Sequence, residues 1–380
     1  MTEALHLAPP VLHWAALQGG SSLRDLAKRV SGRAAATIER GELTVNQAMQ
    51  FAREAGVPFG YLFLSEPPAV SHRLPIADFR TTANQRPLSR NFLAVYHDIE
   101  FKQAWYREYL QREAAQPLAF VGRYQGEVVD PSTVAANIRA SLMLDGEPAP
   151  SRSAEENYAD LAARVEAAGV LVFKSGIVGN HTRRKLAVSE FRGFAIADDL
   201  APAIFVNGTD APAAWSFTLM HELAHLWLGQ SGVSDAAPDA DHAQEALCNA
   251  IAAEILVPQQ AFQAAWLSVD GTPVERIAQL QQRFRVSRLV LARQALALWL
   301  TGRDVYDALY ASSRNESGGK DNTGGDFYLT LAVRNSKSFS RKVAALATCG
   351  QISFREAGQL LNTNPNNVAV FHDRQQTLRA

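Results

Sequence analysis

Thr218-Leu219-Met220-His221-Glu222-Leu223-Ala224-His225-Leu226-Trp227-Leu228 is an apolar run interrupted by two histidines and one glutamate. On an α-helix, residues four apart share a face, so His221 and His225 can offer two imidazoles to one metal ion. Glu222 is rotated by about 100° from that face, where it can hold a water rather than the ion. Asp210 and Pro212 stand where a cap and a first-turn proline belong, which predicts the start of this helix. Trp215, Leu219, Leu223 and Leu226 recur at helical spacing and predict burial. Three polar side chains in such a helix are costly without partners. The bland alternative is a core helix whose histidines bond to backbone carbonyls.

A third ligand makes the metal reading the more economical one. Glu245 follows His225 by twenty positions, in Ala243-Gln244-Glu245-Ala246-Leu247-Cys248-Asn249-Ala250-Ile251-Ala252-Ala253-Glu254-Ile255-Leu256-Val257-Pro258. This reads as a second helix, stopped by Pro258 and returning antiparallel to the first. Two neutral imidazoles, one carboxylate and an open fourth position describe a catalytic Zn2+ site rather than a closed structural one. Asn249, one turn past Glu245, is placed to orient a ligand. His242 is a rival third ligand, and Glu254 reads as a solvated group or a supporting one. Cys248 has two readings: a plain buried cysteine, or a thiolate that occupies the fourth position and silences the site. Cys349 is a remoter candidate for that second role.

His221-Glu222-Leu223-Ala224-His225, the later Glu245-Ala246-Leu247-Cys248-Asn249 and the tail Ala253-Glu254-Ile255-Leu256-Val257-Pro258 resemble the ImmA/IrrE metallopeptidases. The resemblance covers roughly residues 70–300. It implies that His221, His225 and Glu245 bind zinc and that Glu222 is the general base. It also implies that the substrate is a repressor protein encoded nearby, whose cleavage releases a stress, mobile-element or defence operon. Ile76-Ala77-Asp78-Phe79-Arg80-Thr81 resembles the segment that joins a helix-turn-helix to the peptidase in longer members.

Composition sets wider bounds. The 380 residues carry a formal net charge of −1, so no global field draws the chain to nucleic acid, although a local basic face remains open. Cys248 and Cys349 are the two cysteines, which argues against a disulfide framework and for a reducing compartment. No signal-like segment opens the sequence and no apolar run reaches the eighteen or so residues of a membrane span. A cytoplasmic location is expected.

Four segments are expected: 1–68, a helix-turn-helix-like helical module; 69–130, a linker and long helix; 131–314, the zinc peptidase core; and 315–380, a C-terminal accessory, sensor or cap region. The fold class is α+β, mostly helical, with a zincin-like core, a small mixed or antiparallel sheet beside the metal helix, and an N-terminal helical bundle. In that bundle, helices are predicted near 22–30, 33–40 and 44–56, in the order of an Xre-type helix-turn-helix. Arg24, Lys28, Arg29, Arg33 and Arg40 can contact phosphate or a partner. The helix that would enter the groove offers few base-reading side chains, so a degenerate bundle used for packing is the competing reading.

Aromatic residues Phe92, Tyr96, Phe101, Trp105 and Tyr109 at helical spacing predict a core-facing helix over 90–114. Strands are predicted at 169–174, 191–197 and 202–207. Part of 191–207 is expected to line the substrate cleft, where an edge strand would hold extended substrate. His181, Arg183, Arg184 and Lys185 read as a polar connection, and 229–243 as a mobile loop over the metal. Residues 274–296 have a helix-turn-helix look that the resemblance turns into packing for the peptidase body. Asn315–Gly325 is a boundary. Phe327–Val333 is strand-like. Ser353–Val368 has a helix-turn-helix rhythm, preceded by Arg334, Lys337, Arg341 and Lys342; it reads either as a contact for DNA or a regulatory ligand, or as a cap. The rival to a peptidase is a DNA-binding regulator, or an antitoxin-like protein, with a structural or sensing metal.

Overall fold

The computed structural model describes residues 4–18, 21–57, 59–67, 77–78, 88–144, 153–234, 243–315 and 326–377, and divides into two units, Met1–Pro75 and Ile76–Ala380. His242, most of the 76–81 segment, residues 235–242 of the expected loop and 316–325 of the expected boundary lie outside the described residues.

The first unit contains β1 (Ala4–His6), α1 (Pro9–Gln18), α2 (Leu23–Val30), α3 (Ala35–Glu39), β2 (Glu42–Thr44) and α4 (Val45–Ala55). β1 and β2 pair antiparallel, with Leu5 opposite Leu43. Local chemistry sets the helix ends. Ser22 accepts from Asp25 N, Thr44 and Gln47 form a reciprocal capping box, and Gly56 closes α4 in the left-handed region. Leu12, Leu26, Ile38, Leu43 and Phe51 meet in one core. The helix expected over 33–40 is broken: a 3-10 turn, Gly32–Ala34, leads into the five residues of α3, whose first position has no side-chain cap. Arg24, Lys28, Arg29, Arg33 and Arg40 are exposed, and Arg29 donates to Ser21 Oγ.

The second unit opens with β3 (Ala77–Asp78), α5 (Arg90–Arg112), α6 (Pro131–Ser141) and α7 (Ala154–Ala167). β4 (Leu171–Ser175), the hairpin β5 (Ile177–Val178) and β6 (His181–Lys185), β7 (Gly193–Ile196) and β8 (Ala203–Asn207) follow. Then come α8 (Pro212–Trp227), β9 (Gly232–Ser234), α9 (Ala243–Leu256), α10 (Gln259–Leu267), α11 (Pro273–Phe284), α12 (Arg288–Ala297) and α13 (Arg303–Asn315). The chain closes with α14 (Phe327–Arg334), α15 (Lys337–Thr348), α16 (Phe354–Leu360) and α17 (Pro365–Thr377). Helix dominates and the sheets are small and mixed, consistent with an α+β class.

The main sheet runs β3-β9-β7-β8-β4. β4 and β8 are parallel, β8–β7 and β7–β9 antiparallel, and β9–β3 parallel. This corrects the expected free edge within 191–207: β7 and β8 each have a strand on both sides. The glycine- and serine-bearing Gly232–Ser234, read from sequence as loop, is the strand next to the outer edge. The expected polar connection at 181–185 is one arm of the β5–β6 hairpin.

α8 packs on β7 and β8 with one side and against α7 and α9 with the other. Leu219, Leu223, Leu226 and Trp227 meet Ile251, Ala252 and Ile255 in the core. Complete burial of one such leucine contributes about 1.5–3 kcal/mol. The far end of α8 is tied down by the loop before α6: Gly122 N and Tyr124 N donate to the carbonyls of Leu226 and Trp227 at 2.9 and 3.0 Å. Gly229 turns the chain with φ +67, and a Cβ there would stand 3.0 Å from Gly122 Cα.

The strand-like Phe327–Val333 is helix. Asp326 accepts from Tyr328 N and Leu329 N at its start, and this cap outweighs the β preference of its side chains. Residues 69–130, 131–314 and 315–380, read as separate segments, fall largely in one unit. Buried Lys102 on α5 donates to Asn335 at 2.8 Å, Trp105 donates to Glu356 at 3.0 Å, and Glu166 on α7 accepts from Ser336 and from Lys337 N. Phe101 departs from the expected aromatic core face and is 56% exposed.

Candidate metal centre

The two helices that carry the candidate ligands form under ordinary rules. Pro212 sits in the first turn of α8, as its fixed φ favours. The N-cap is Ala211 and not Asp210; Asp210 Oδ1 instead accepts Ala211 N, and its other oxygen pairs with Arg192 at 3.2 Å. α9 begins just before Glu245, and Pro258 follows its end. His221 meets Asn249 while His225 meets Glu245 and Cys248, so the two helices run antiparallel.

His221, Glu222, His225, Glu245 and Asn249 are all buried. Two imidazole nitrogens and a carboxylate converge. His221 Nε2 and His225 Nε2 lie 3.1 Å apart, Glu245 Oε1 lies 3.1 Å from His225 Nε2, and Glu245 Oε2 lies 3.2 Å from His221 Nε2. The three separations are nearly equal, with the two histidines meeting different oxygens of one carboxylate, and they approach the ~3.3 Å that tetrahedral ligands at ~2.0 Å from one ion require.

The outer nitrogens explain why a cation suits the cluster. His221 Nδ1 faces Asn249 Oδ1 at 3.0 Å and His225 Nδ1 faces Gln230 Oε1 at 3.2 Å. Where Nδ1 donates to these oxygens, the neutral ring turns the lone pair of its Nε2 inward. Two lone pairs and a carboxylate aimed at one buried point repel one another. No group other than these two imidazoles meets the Glu245 oxygens among the described contacts. A shared divalent ion answers both the repulsion and the lack of further partners, so the residues present fit one. His221, His225 and Glu245 are the group of potential ligands found among the described residues.

Burial lowers the His221 pKa and so favours the neutral imidazole a ligand must be. Burial also acts to raise Glu245, but the flanking imidazoles outweigh it and hold that carboxyl at about 2. Glu222 shows the opposite balance: burial pushes it up to about 8. Its Oε1 accepts from Ser234 Oγ on β9, while Oε2 has no hydrogen-bond partner. Gly193 on β7 lies directly against it, and a Cβ there would stand 2.6 Å from Glu222 Oε1 and 2.8 Å from Thr218 Cγ2. Only glycine leaves room for the carboxylate in this position.

Cys248 Sγ lies 3.6 Å from His225 Nδ1, on the side of the ring away from the ligand triangle. Burial pushes its thiol up. It lies beside the outer nitrogen and is not among the converging ligands, so the structure favours the plain buried cysteine over a thiolate in the fourth position. Cys349 is exposed at the end of α15 and outside the cluster. Glu254 accepts from Gln259 N and from Gln294 Nε2 and takes no part in the centre. Sequence reasoning missed Gly193, Gln230 and Ser234. Gln230, five positions past His225, follows from helix geometry; Ser234 and Gly193 reach Glu222 only through the pairing of β7 with β9.

Residues 165–295 match the family model for peptidase M78, described as the IrrE N-terminal-like domain. The match runs from the end of α7 into α12 and so includes β4 to β9, both ligand helices and Glu222. It makes this segment similar to metallopeptidases of the IrrE type. Neither a curated protein nor a solved structure matches the chain.

Proposed function

We propose that the protein is a zinc-dependent endopeptidase that cleaves a transcriptional repressor and so releases a stress, mobile-element or defence operon. The convergence of His221 Nε2, His225 Nε2 and the two Glu245 oxygens carries the metal part of this reading. The likeness of 165–295 to the IrrE-type domain supports the class of reaction and substrate.

His221, His225 and Glu245 would hold the zinc ion, which supplies acidification of water to a pKa of about 7 and polarisation of a carbonyl. The chain's own residues do the rest. Asn249 and Gln230 hold the two imidazoles in the tautomer that directs Nε2 inward. Ser234 fixes one oxygen of Glu222 and leaves Oε2 to take a proton from the attacking water. Burial raises the Glu222 carboxyl toward neutral pH, the range in which one group can both take a proton and deliver it to the departing amine. Gly193 leaves the carboxylate room to face the reacting atoms.

The test mixes purified protein and zinc with the product of the neighbouring gene, with and without DNA. Cleavage that a chelator blocks is the expected result. A stable complex without turnover supports an antitoxin-like protein, and an operator-specific shift without cleavage supports a regulator whose metal is structural; either result contradicts the proposal.

A further inference from the structure

α15, α16 and α17 fold as a helix-turn-helix with a basic hairpin set against its turn, and we infer that this face binds duplex DNA. The proposal is independent of the peptidase reading and concerns a different part of the chain.

The helix crossing is built from small and apolar residues. A Cβ on Gly358 of α16 would stand 2.8 Å from Thr363 O and 3.2 Å from the Pro365 ring, so the two segments touch there. Leu361, Val368 and Phe371 are fully buried behind that contact. Asn362 turns the chain with φ +51, a conformation that asparagine tolerates better than most residues. Thr363 N returns to Gly358 O at 2.8 Å, and Pro365 opens α17. With its apolar side spent on the crossing, α17 turns Asn366, Val370 and Asp373 outward at positions i, i+4 and i+7. Val370 is 43% exposed.

The hairpin adds charge. Asn180 Nδ2 donates to Asn362 O, and Arg334 Nη1 donates to Asn180 Oδ1 at 3.0 Å, which fixes the hairpin tip to the turn. Arg183 and Lys185 on β6 are exposed. Between tip and turn lies an open depression of about 800 Å3, whose polar lining includes Asn180, Arg355, Gln359, Asn362, Asn364 and Asn367. It contains no carboxylate, and its one charge is the Arg355 guanidinium.

These features match a duplex. Phosphate is gripped by arginine, lysine and amide side chains, and Arg355 and Gln359 line the depression. Asparagine reads adenine through its amide, and an exposed aliphatic side chain can meet the thymine methyl; Asn366 and Val370 supply that pair one turn apart. Asp373 lies seven residues from Asn366, roughly 10 Å further along the helix and away from the hairpin-facing end.

The experiment titrates the full chain into a fluorescent 30-bp random duplex over a range of salt, and then selects bound sequences from a random pool. Wild type is expected to bind, with log K falling as log salt rises. Arg183→Ala, Lys185→Ala and Arg355→Ala together should reduce the salt slope by about 3, at about 1 per phosphate contact. Asn366→Ala should leave the slope alone and lower preference for the selected site by about tenfold. Each variant should keep wild-type metal content and repressor cleavage, so loss of binding is separable from loss of the metal centre. No binding at low salt overturns the proposal. So does binding that survives the triple change but is lost in Lys28→Ala with Arg33→Ala. If duplex is ignored while Asn366→Ala weakens capture of a protein substrate, the face is a protein dock and the DNA assignment falls.

Discussion

Two helix pairs in the second unit handle polar side chains in opposite ways. α8 and α9 bury two histidines, a glutamate and an asparagine at their contact, and α8 buries Glu222 against the sheet. α16 and α17 bury Leu361, Val368 and Phe371 there and turn Asn366 and Asp373 outward. The second arrangement is what a folded helix pair does by default, since polar groups lose their water when buried. The first needs something to replace that water. The acceptors beside both Nδ1 atoms leave the Nε2 atoms to face Glu245, an arrangement that a shared cation fits. Buried polarity at the first pair is the exception that an ion would explain, and exposed polarity at the second is the default.

The comparison breaks most sharply at Glu222. Glu222→Gln keeps shape and metal but cannot carry the proton, so the cleavage rate should fall by about 10²–10⁴-fold with metal content unchanged. Single-turnover kinetics with metal analysis checks this, and surviving activity would remove Glu222 from its role. Leu223→Ala empties part of the core between α8 and its neighbours and should cost about 2–5 kcal/mol, read by denaturant unfolding. Asn249→Ala frees the His221 ring and should weaken metal affinity by about 10–100-fold in a competition titration. In the other pair, Gly358→Ala should cost about 1–3 kcal/mol while leaving metal binding untouched, because its Cβ meets backbone in the turn. Cys248→Ser should leave both metal content and basal cleavage unchanged, since the sulfur lies behind His225.

What the sequence disclosed follows the same division. The shared face of His221 and His225 was legible because helical spacing converts letters into geometry, and Glu245 was reachable through the helix that returns beside them. Pro258 and the apolar stripe placed the two helices for the same reason. The sheet was less legible. Gly232-Val233-Ser234 is too short to show alternation, and its strand character comes from its pairing with β7. The partners of Glu222 depend on that pairing and so stayed hidden. Phe327–Val333 looks like a strand by side-chain type, and Asp326 together with the packing of α14 on β4 overrides it. Phe101 kept the helical period of its neighbours but fell on the solvent side of α5.

The central claim is that one divalent ion sits among His221, His225 and Glu245. Metal analysis of the purified chain, beside His225→Ala and Glu245→Ala purified in the same way, tests it most directly. One zinc per chain in the wild type, lost from both variants while the fold is kept by circular dichroism, is the predicted result. A wild-type chain that takes up no metal when zinc is supplied, or variants that keep it, would contradict the account.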